Sequence, residues 1–138
     1  MERRTEIVTV LINKHVTTNE FTSGCHWTLR KKAKDDVRGG VLTSRFRLMK
    51  TFDKPVSIHI FPLVKKGDRI FDSSNYSCMA KFLEDELVSQ KVLVDDTNKY
   101  VERVCLEKAE RYDKNGYLVV IREVVEEESL LRELELIE

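Results

Sequence analysis

Apolar residues in this chain fall into short alternating runs, two longer runs at helical spacing, and polar turns between them. Glu6 to Ile12 reads Glu-Ile-Val-Thr-Val-Leu-Ile, and its β-branched density predicts a first strand. Behind Pro55, Val56, Ile58 and Ile60 alternate with Ser57 and His59, predicting a second strand that reaches Leu63. Val101, Val104 or Cys105, and Leu106 predict a third strand between Tyr100 and Ala109, with charged residues interleaved. Asp113-Lys114-Asn115-Gly116 is a hairpin signal. Tyr117 to Ile121 then predicts a fourth strand that can continue to Val125.

The helical runs have a different period. Trp27, Leu29 or Arg30, Ala33 and Val37 form a rough stripe from about His26, and Gly39-Gly40 reads as its stop. Met79, Phe82, Leu83, Leu87 and Val88 mark one buried face of a second helix that ends near Gln90. Ser74 or Asn75 can cap it. Leu130, Leu131, Leu134 and Ile137 predict an amphipathic terminal helix over 126–138. Asn13 to Gly24 reads as a loop and Val41 to Asp53 as a basic, irregular segment. Val92-Leu93-Val94 is a short buried connection, and Asp95-Asp96-Thr97-Asn98 is a turn rich in Asx chemistry. The expected fold is α+β. A small mixed sheet with two main helices, in β-α-β-α-β-β order, occupies 1–125 and precedes the C-terminal helix.

Composition narrows the class. With 138 residues, 41% apolar and 35% charged, the chain suits one domain with a real core. Its apolar runs are far short of a membrane span. Met1-Glu2-Arg3-Arg4 is polar and carries no secretory signal, so a cytoplasmic protein is expected. Cys25, Cys78 and Cys105 are widely separated, with no CxxC pair or His-rich partner. Free buried thiols in a reducing compartment are expected, and a zinc site is not. His59 reads as an exposed or hydrogen-bonded strand residue.

Charge changes the picture more. The net charge is zero, but Glu123 to Glu138 holds seven Glu and one Arg, a net −6 that leaves +6 on the rest. A basic body suits a polyanionic partner. Lys31 and Lys32, with Arg30, Lys34 and Arg38, form a polar helix face that fits phosphates or solvent equally. Arg45, Arg47 and Lys50 alternate with Phe46, Leu48 and Met49. Lys65, Lys66 and Arg69 surround a Gly67 turn that runs into an acidic-polar cluster, Asp72-Ser73-Ser74-Asn75. Carboxylates beside basic residues suggest a hard divalent cation meeting a phosphate backbone.

The order of these motifs resembles the RusA-like family of Holliday-junction resolvases, over roughly residues 6 to 122. That family has an Asp-x-Asp-Asn loop, a helix starting near a Lys, and an Asp-Asp turn before a hairpin. Asp72-Ser73-Ser74-Asn75 looks like the loop, Lys81 like the helix lysine, and Asp95-Asp96 like the turn. Pro55-Val56-Ser57-Ile58 resembles the strand feeding the site, and Thr18-Asn19 the polar loop after the first strand. Ser74 departs from the pattern, standing where the family has its second loop aspartate. A short insertion also separates Asn75 from Lys81.

The resemblance implies a homodimeric enzyme that cuts branched DNA with Mg2+, Mn2+ being a possible substitute. Asp72 and Asp96 would be the principal metal ligands and Asp95 a supporting one. Lys81 would steady the phosphate transition state as a point charge, with Ser74 and Asn75 in support. Lys31, Lys32, Arg45, Arg47, Lys65, Lys66 and Arg69 would contact DNA. Because Ser74 removes a negative charge, a weakened or inactive branched-DNA-binding protein is the alternative. Asp68 would compensate if its loop folds back. A third reading makes the chain a protein-interaction domain served by the amphipathic tail.

Overall fold

The computed structural model describes residues 3–24 and 27–124. Among them lie five strands and three α-helices: β1 (Thr5–Leu11), α1 (Thr18–Thr22), α2 (Trp27–Leu42), β2 (Val56–Lys65), α3 (Ser77–Ser89), β3 (Val101–Leu106), β4 (Glu110–Tyr112) and β5 (Gly116–Glu123). Single 3-10 turns cover Arg45–Leu48 and Ser73–Tyr76. The fold is α+β, with a mixed five-stranded sheet and two main helices, α2 and α3. The expected terminal helix over 126–138 lies outside the described residues, as does Cys25.

The sheet runs β1-β5-β2-β3, with β4 also pairing β2. β5 lies antiparallel to both β1 and β2, whereas β3 and β4 lie parallel to β2. The Asp113–Gly116 signal therefore does not close an ordinary hairpin. It carries the chain from β4 on one side of β2 to β5 on the other, around the end of β2. Buried Asn115 makes this crossing possible. Its Oδ1 accepts from Lys65 N at 2.9 Å, and its Nδ2 donates to Asp68 Oδ2 at 3.1 Å. Its own carbonyl accepts from Ile12 N at 3.0 Å.

Pro62 sits inside the central strand β2, where proline normally removes a ladder bond. Ile60 O accepts from Glu107 N, so Ile60 faces the β3 edge, and Pro62, two residues on, faces it too. That edge has a gap there. β3 pairs β2 only up to Ile60, and β4 begins opposite Leu63. The missing N–H falls where no strand is present to receive it.

Both main helices cover one face of the sheet. Val8, Val10, Ile58, Ile60, Val119 and Ile121 from the strands meet Val37, Val41, Leu83 and Leu87 from the helices in one buried cluster. Truncating a fully buried leucine such as Leu83 to alanine costs about 2–5 kcal/mol. The second strand thus has the predicted alternation, and the Met79–Val88 stripe is the core face of α3.

Three local expectations need correction. α2 does not stop at Gly39-Gly40 but continues to Leu42. A Cβ on Gly40 would lie 2.3 Å from Leu11 O, so this glycine is there to let α2 approach β1. The buried stripe of α2 does not begin at Trp27, which is 67% exposed, but with half-buried Leu29 and buried Ala33. The Asn13–Gly24 segment is not all loop. Thr17 and Glu20 form a capping box that starts α1: Glu20 N donates to Thr17 Oγ1 and Thr17 N to Glu20 Oε2.

Among the described residues, no helix is long and apolar enough to cross a membrane.

Candidate functional site at the α3 entrance

Two segments meet where α3 begins, the segment after β1 and the loop after β2, and the turn after α3 approaches Lys81 farther along the helix. The first two are joined by Thr18. Its Oγ1 lies 3.2 Å from Ser74 O, 3.3 Å from Asn75 O and 3.0 Å from Ser77 Oγ, and accepts from Cys78 N at 3.2 Å. The first-turn donors of α3 are thus met partly from the start of α1, not by a Ser74 or Asn75 side chain as the local sequence suggests. The Thr18-Asn19 and Asp72–Asn75 segments, far apart in sequence, are neighbours in space.

Between these loops lies a cleft of about 580 Å3. Lys14, His15, Asn19 and Glu20 line one wall, and Asp68, Arg69, Phe71 and Asn75 the other. Arg69 stacks over the Phe71 ring at 5.1 Å. The Lys65–Asp68 turn is held against Arg111 of β4 and against Asn115. Arg111 Nη1 donates to Lys65 O at 2.8 Å and to Asp68 O at 2.6 Å, while the Asp68 carboxylate takes the Asn115 amide.

His15 is the cleft residue that sequence patterning did not single out. Its Nε2 lies 2.7 Å from Leu63 O, so Nε2 carries the proton and Nδ1 is the bare nitrogen of the neutral ring. That Nδ1 is buried, with no hydrogen-bond partner among the described residues. Edges of Tyr76 and Tyr117 pack against the ring, with centroids at 5.2 and 5.1 Å. Burial lowers the His15 pKa, against the opposing pull of the Leu63 carbonyl and of Asp36 and Asp68. Only the tertiary packing of two tyrosines marks this histidine, and a lone His in a polar loop does not signal it.

The acidic residues divide. Asp72 is exposed at the start of its 3-10 turn, and among the described residues its carboxylate makes no hydrogen bond or ion pair. Ser74 is exposed beside it. Asp95 Oδ1 accepts from the amide of the next residue, Asp96 N, at 2.7 Å. Asp96 Oδ2 lies 3.9 Å from Lys81 Nζ, and Asp85 Oδ1 lies 3.4 Å from it. Burial alone would lower the Lys81 pKa, but Glu84, Asp85 and Asp96 together outweigh it, and the amine is held cationic. Glu84, desolvated and near Asp85 and Asp96, is raised despite Lys81.

Lys81 and Asp96 are therefore brought together, and Asn75 and Arg69 share the cleft. Asp72, Asp95 and Asp96 do not meet as three donors within 4.8 Å of one another; among the described residues the group that does is His59, Cys105 and Glu107. As a donor set, the three aspartates offer only exposed or half-buried oxygens. Surface carboxylates are commonly exposed with no ion bound, and Mg2+, which keeps most of its waters, takes only a few of them.

The basic residues also divide. Lys65, Lys66 and Arg69 stand exposed at the end of β2 beside the cleft. Lys31 and Lys32 are exposed on α2. Arg45 lies against the outer strand, its Nη2 donating to Ile7 O at 3.2 Å, with Arg47 exposed two residues on. Comparison with known protein-family profiles and with curated proteins finds no match to this chain.

Proposed function

We propose that this protein is a Mg2+-dependent, structure-selective DNA endonuclease of the RusA-like type, acting on Holliday junctions or related branched DNA. The observation that carries this reading is the approach of Lys81 on α3 to Asp96 in the turn before β3. Those are the helix lysine and turn aspartate of the resemblance, and they come from separate elements. The carboxylate of Asp72, unpaired among the described residues, and the Thr18 clamp on its loop support the same reading.

Asp72 and Asp96 would hold the ion, with Asp95 supporting, and the ion when bound would acidify a water for attack on phosphorus. Lys81, held cationic by its carboxylate neighbours, serves as a point charge toward the phosphate. Lys65, Lys66 and Arg69 beside the cleft, with Lys31, Lys32, Arg45 and Arg47 farther out, bind the sugar-phosphate chains. A homodimer fits a two-fold symmetric junction, since it supplies paired sites. On this reading the protein works in the cytoplasm, where its thiols stay reduced.

A second reading is branched-DNA binding without cleavage. It is favoured by the separation of the three aspartates and by the neutral Ser74 hydroxyl. Incubating a labelled four-way junction with the protein, with and without Mg2+ or Mn2+, separates the two. Metal-dependent nicking, lost in Asp72→Asn and Asp96→Asn, supports the nuclease. Salt-sensitive binding with no nicking supports the binding protein. Ser74→Asp restores the loop charge and is expected to tighten metal binding and raise nicking.

A further inference from the structure

β2 and β3 are parallel neighbours, and their register sets His59 beside Cys105. Glu107 follows two residues after Cys105, and its N–H donates to Ile60 O, continuing the ladder. Alternation then sends His59, Cys105 and Glu107 to one face of the sheet, the face opposite α2 and α3. Their convergence is set by backbone register. His59 Nδ1 and Glu107 Oε1 are 3.0 Å apart, and one donor atom from each of the three lies within 4.8 Å of the others.

We propose that His59, Cys105 and Glu107 form a binding site for a borderline-soft divalent cation of the Zn2+ class, separate from the α3 entrance. The donor types select the ion. One imidazole nitrogen, one thiolate sulfur and one carboxylate oxygen suit Zn2+ and disfavour Mg2+ or Ca2+, which take oxygen. Distances also fit. Ligands around a tetrahedral Zn2+ sit about 3.3–3.6 Å from one another, as the usual bond lengths require. The three donor atoms all lie within 4.8 Å of one another, so no pair exceeds that spacing by more than roughly 1.5 Å.

Charge favours binding as well. A thiolate and a carboxylate neutralise the dication, so the loaded site carries no net charge into its half-buried setting. Three protein donors leave a fourth position to solvent, the pattern of an open site. Ser73 Oγ also lies 3.4 Å from Glu107 O, tying this cluster to the loop that carries Asp72. The proposal does not depend on the DNA reading, since it concerns different donors on the opposite face.

The full-length protein, stripped of metal and kept reduced, is titrated with Co2+ and then Zn2+. The expected result is one equivalent of Co2+ bound with sulfur-to-cobalt charge-transfer absorption and the strong visible bands of four-coordinate cobalt. Zn2+ should bleach both. Cys105→Ser should abolish the charge transfer, and Cys78→Ser should leave it intact. His59→Ala and Glu107→Gln should each weaken Co2+ binding about tenfold or more. Absence of charge transfer in the wild type overturns the proposal. So does a band that survives Cys105→Ser, or affinity indifferent to His59→Ala with circular dichroism unchanged. If Cys105→Ser fails to fold, the His59→Ala and Glu107→Gln affinities decide. Nicking of DNA plays no part in the readout, so failure here leaves the nuclease reading standing, and the reverse.

Discussion

Lys81 Nζ lies 3.9 Å from Asp96 Oδ2 and 3.4 Å from Asp85 Oδ1, so one helix lysine is shared between its own helix and a turn beyond it. All three side chains are about half exposed. Ion pairs this exposed contribute only about 0–1 kcal/mol to folding. Lys81→Ala and Asp96→Asn should therefore leave urea unfolding nearly unchanged. On the nuclease reading, each should still reduce Mg2+-dependent nicking by about a hundredfold or more, comparable to removing one transition-state donor. Asp85→Asn, which leaves Asp96 in place, should reduce it far less.

Gly40 and Gly39 are adjacent and should respond in opposite directions. A Cβ on Gly40 would meet Leu11 O at 2.3 Å and Val10 Cγ1 at 2.9 Å, and the first of these is backbone that cannot give way cheaply. Gly40→Ala should destabilise by about 1–3 kcal/mol. A Cβ on Gly39 meets nothing within 4 Å, so Gly39→Ala should stabilise by about 0.5–1 kcal/mol through helix propensity. Midpoints of chemical denaturation measure both.

His15 makes stability depend on pH. Burial lowers its folded pKa below the ordinary 6.5, so on acidification the unfolded chain takes the proton first. Its contribution is complete above about pH 6.5 and is lost as pH falls below that value. Denaturation of the wild type at pH 7.5 and at pH 5.5 should show a larger loss on acidification than in His15→Phe, which keeps the aromatic packing and cannot titrate. Equal losses in the two proteins would mean that His15 is not the titrating group.

What could be read from the sequence follows from the range of the interactions involved. Alternation in Val56–Ile60 and the stripe on α3 are local, and both were legible. Gly39-Gly40 reads as a helix stop because local rules score only backbone freedom, whereas Gly40 answers to a neighbouring strand. The Asp113–Gly116 turn reads as a hairpin because nothing nearby says that β2 lies between β4 and β5. The same holds for the sites. Asp72 and Asp96 stand out as acids flanking α3, Lys81 is singled out only through the resemblance, and the Lys81–Asp96 approach is a tertiary one. His59 and Glu107, 48 residues apart, converge only through a parallel register that no local pattern encodes.

DNA binding should report which basic residues face the phosphates. Lys66 and Arg69 are exposed beside the cleft. If each contacts one phosphate, Lys66→Gln with Arg69→Gln should lower affinity across sequences and reduce the salt slope by about 2. Arg45 is already engaged with Ile7 O, so Arg45→Gln should reduce the slope less. Fluorescence anisotropy over a salt series gives both slopes.

The central claim is metal-dependent cleavage at the α3 entrance, and single-turnover nicking of a four-way junction tests it most directly. Strand scission with Mg2+, abolished by chelation and by Asp96→Asn in a protein that still binds the junction, is the predicted result. Junction binding with no scission in either Mg2+ or Mn2+, and none restored by Ser74→Asp, would contradict it.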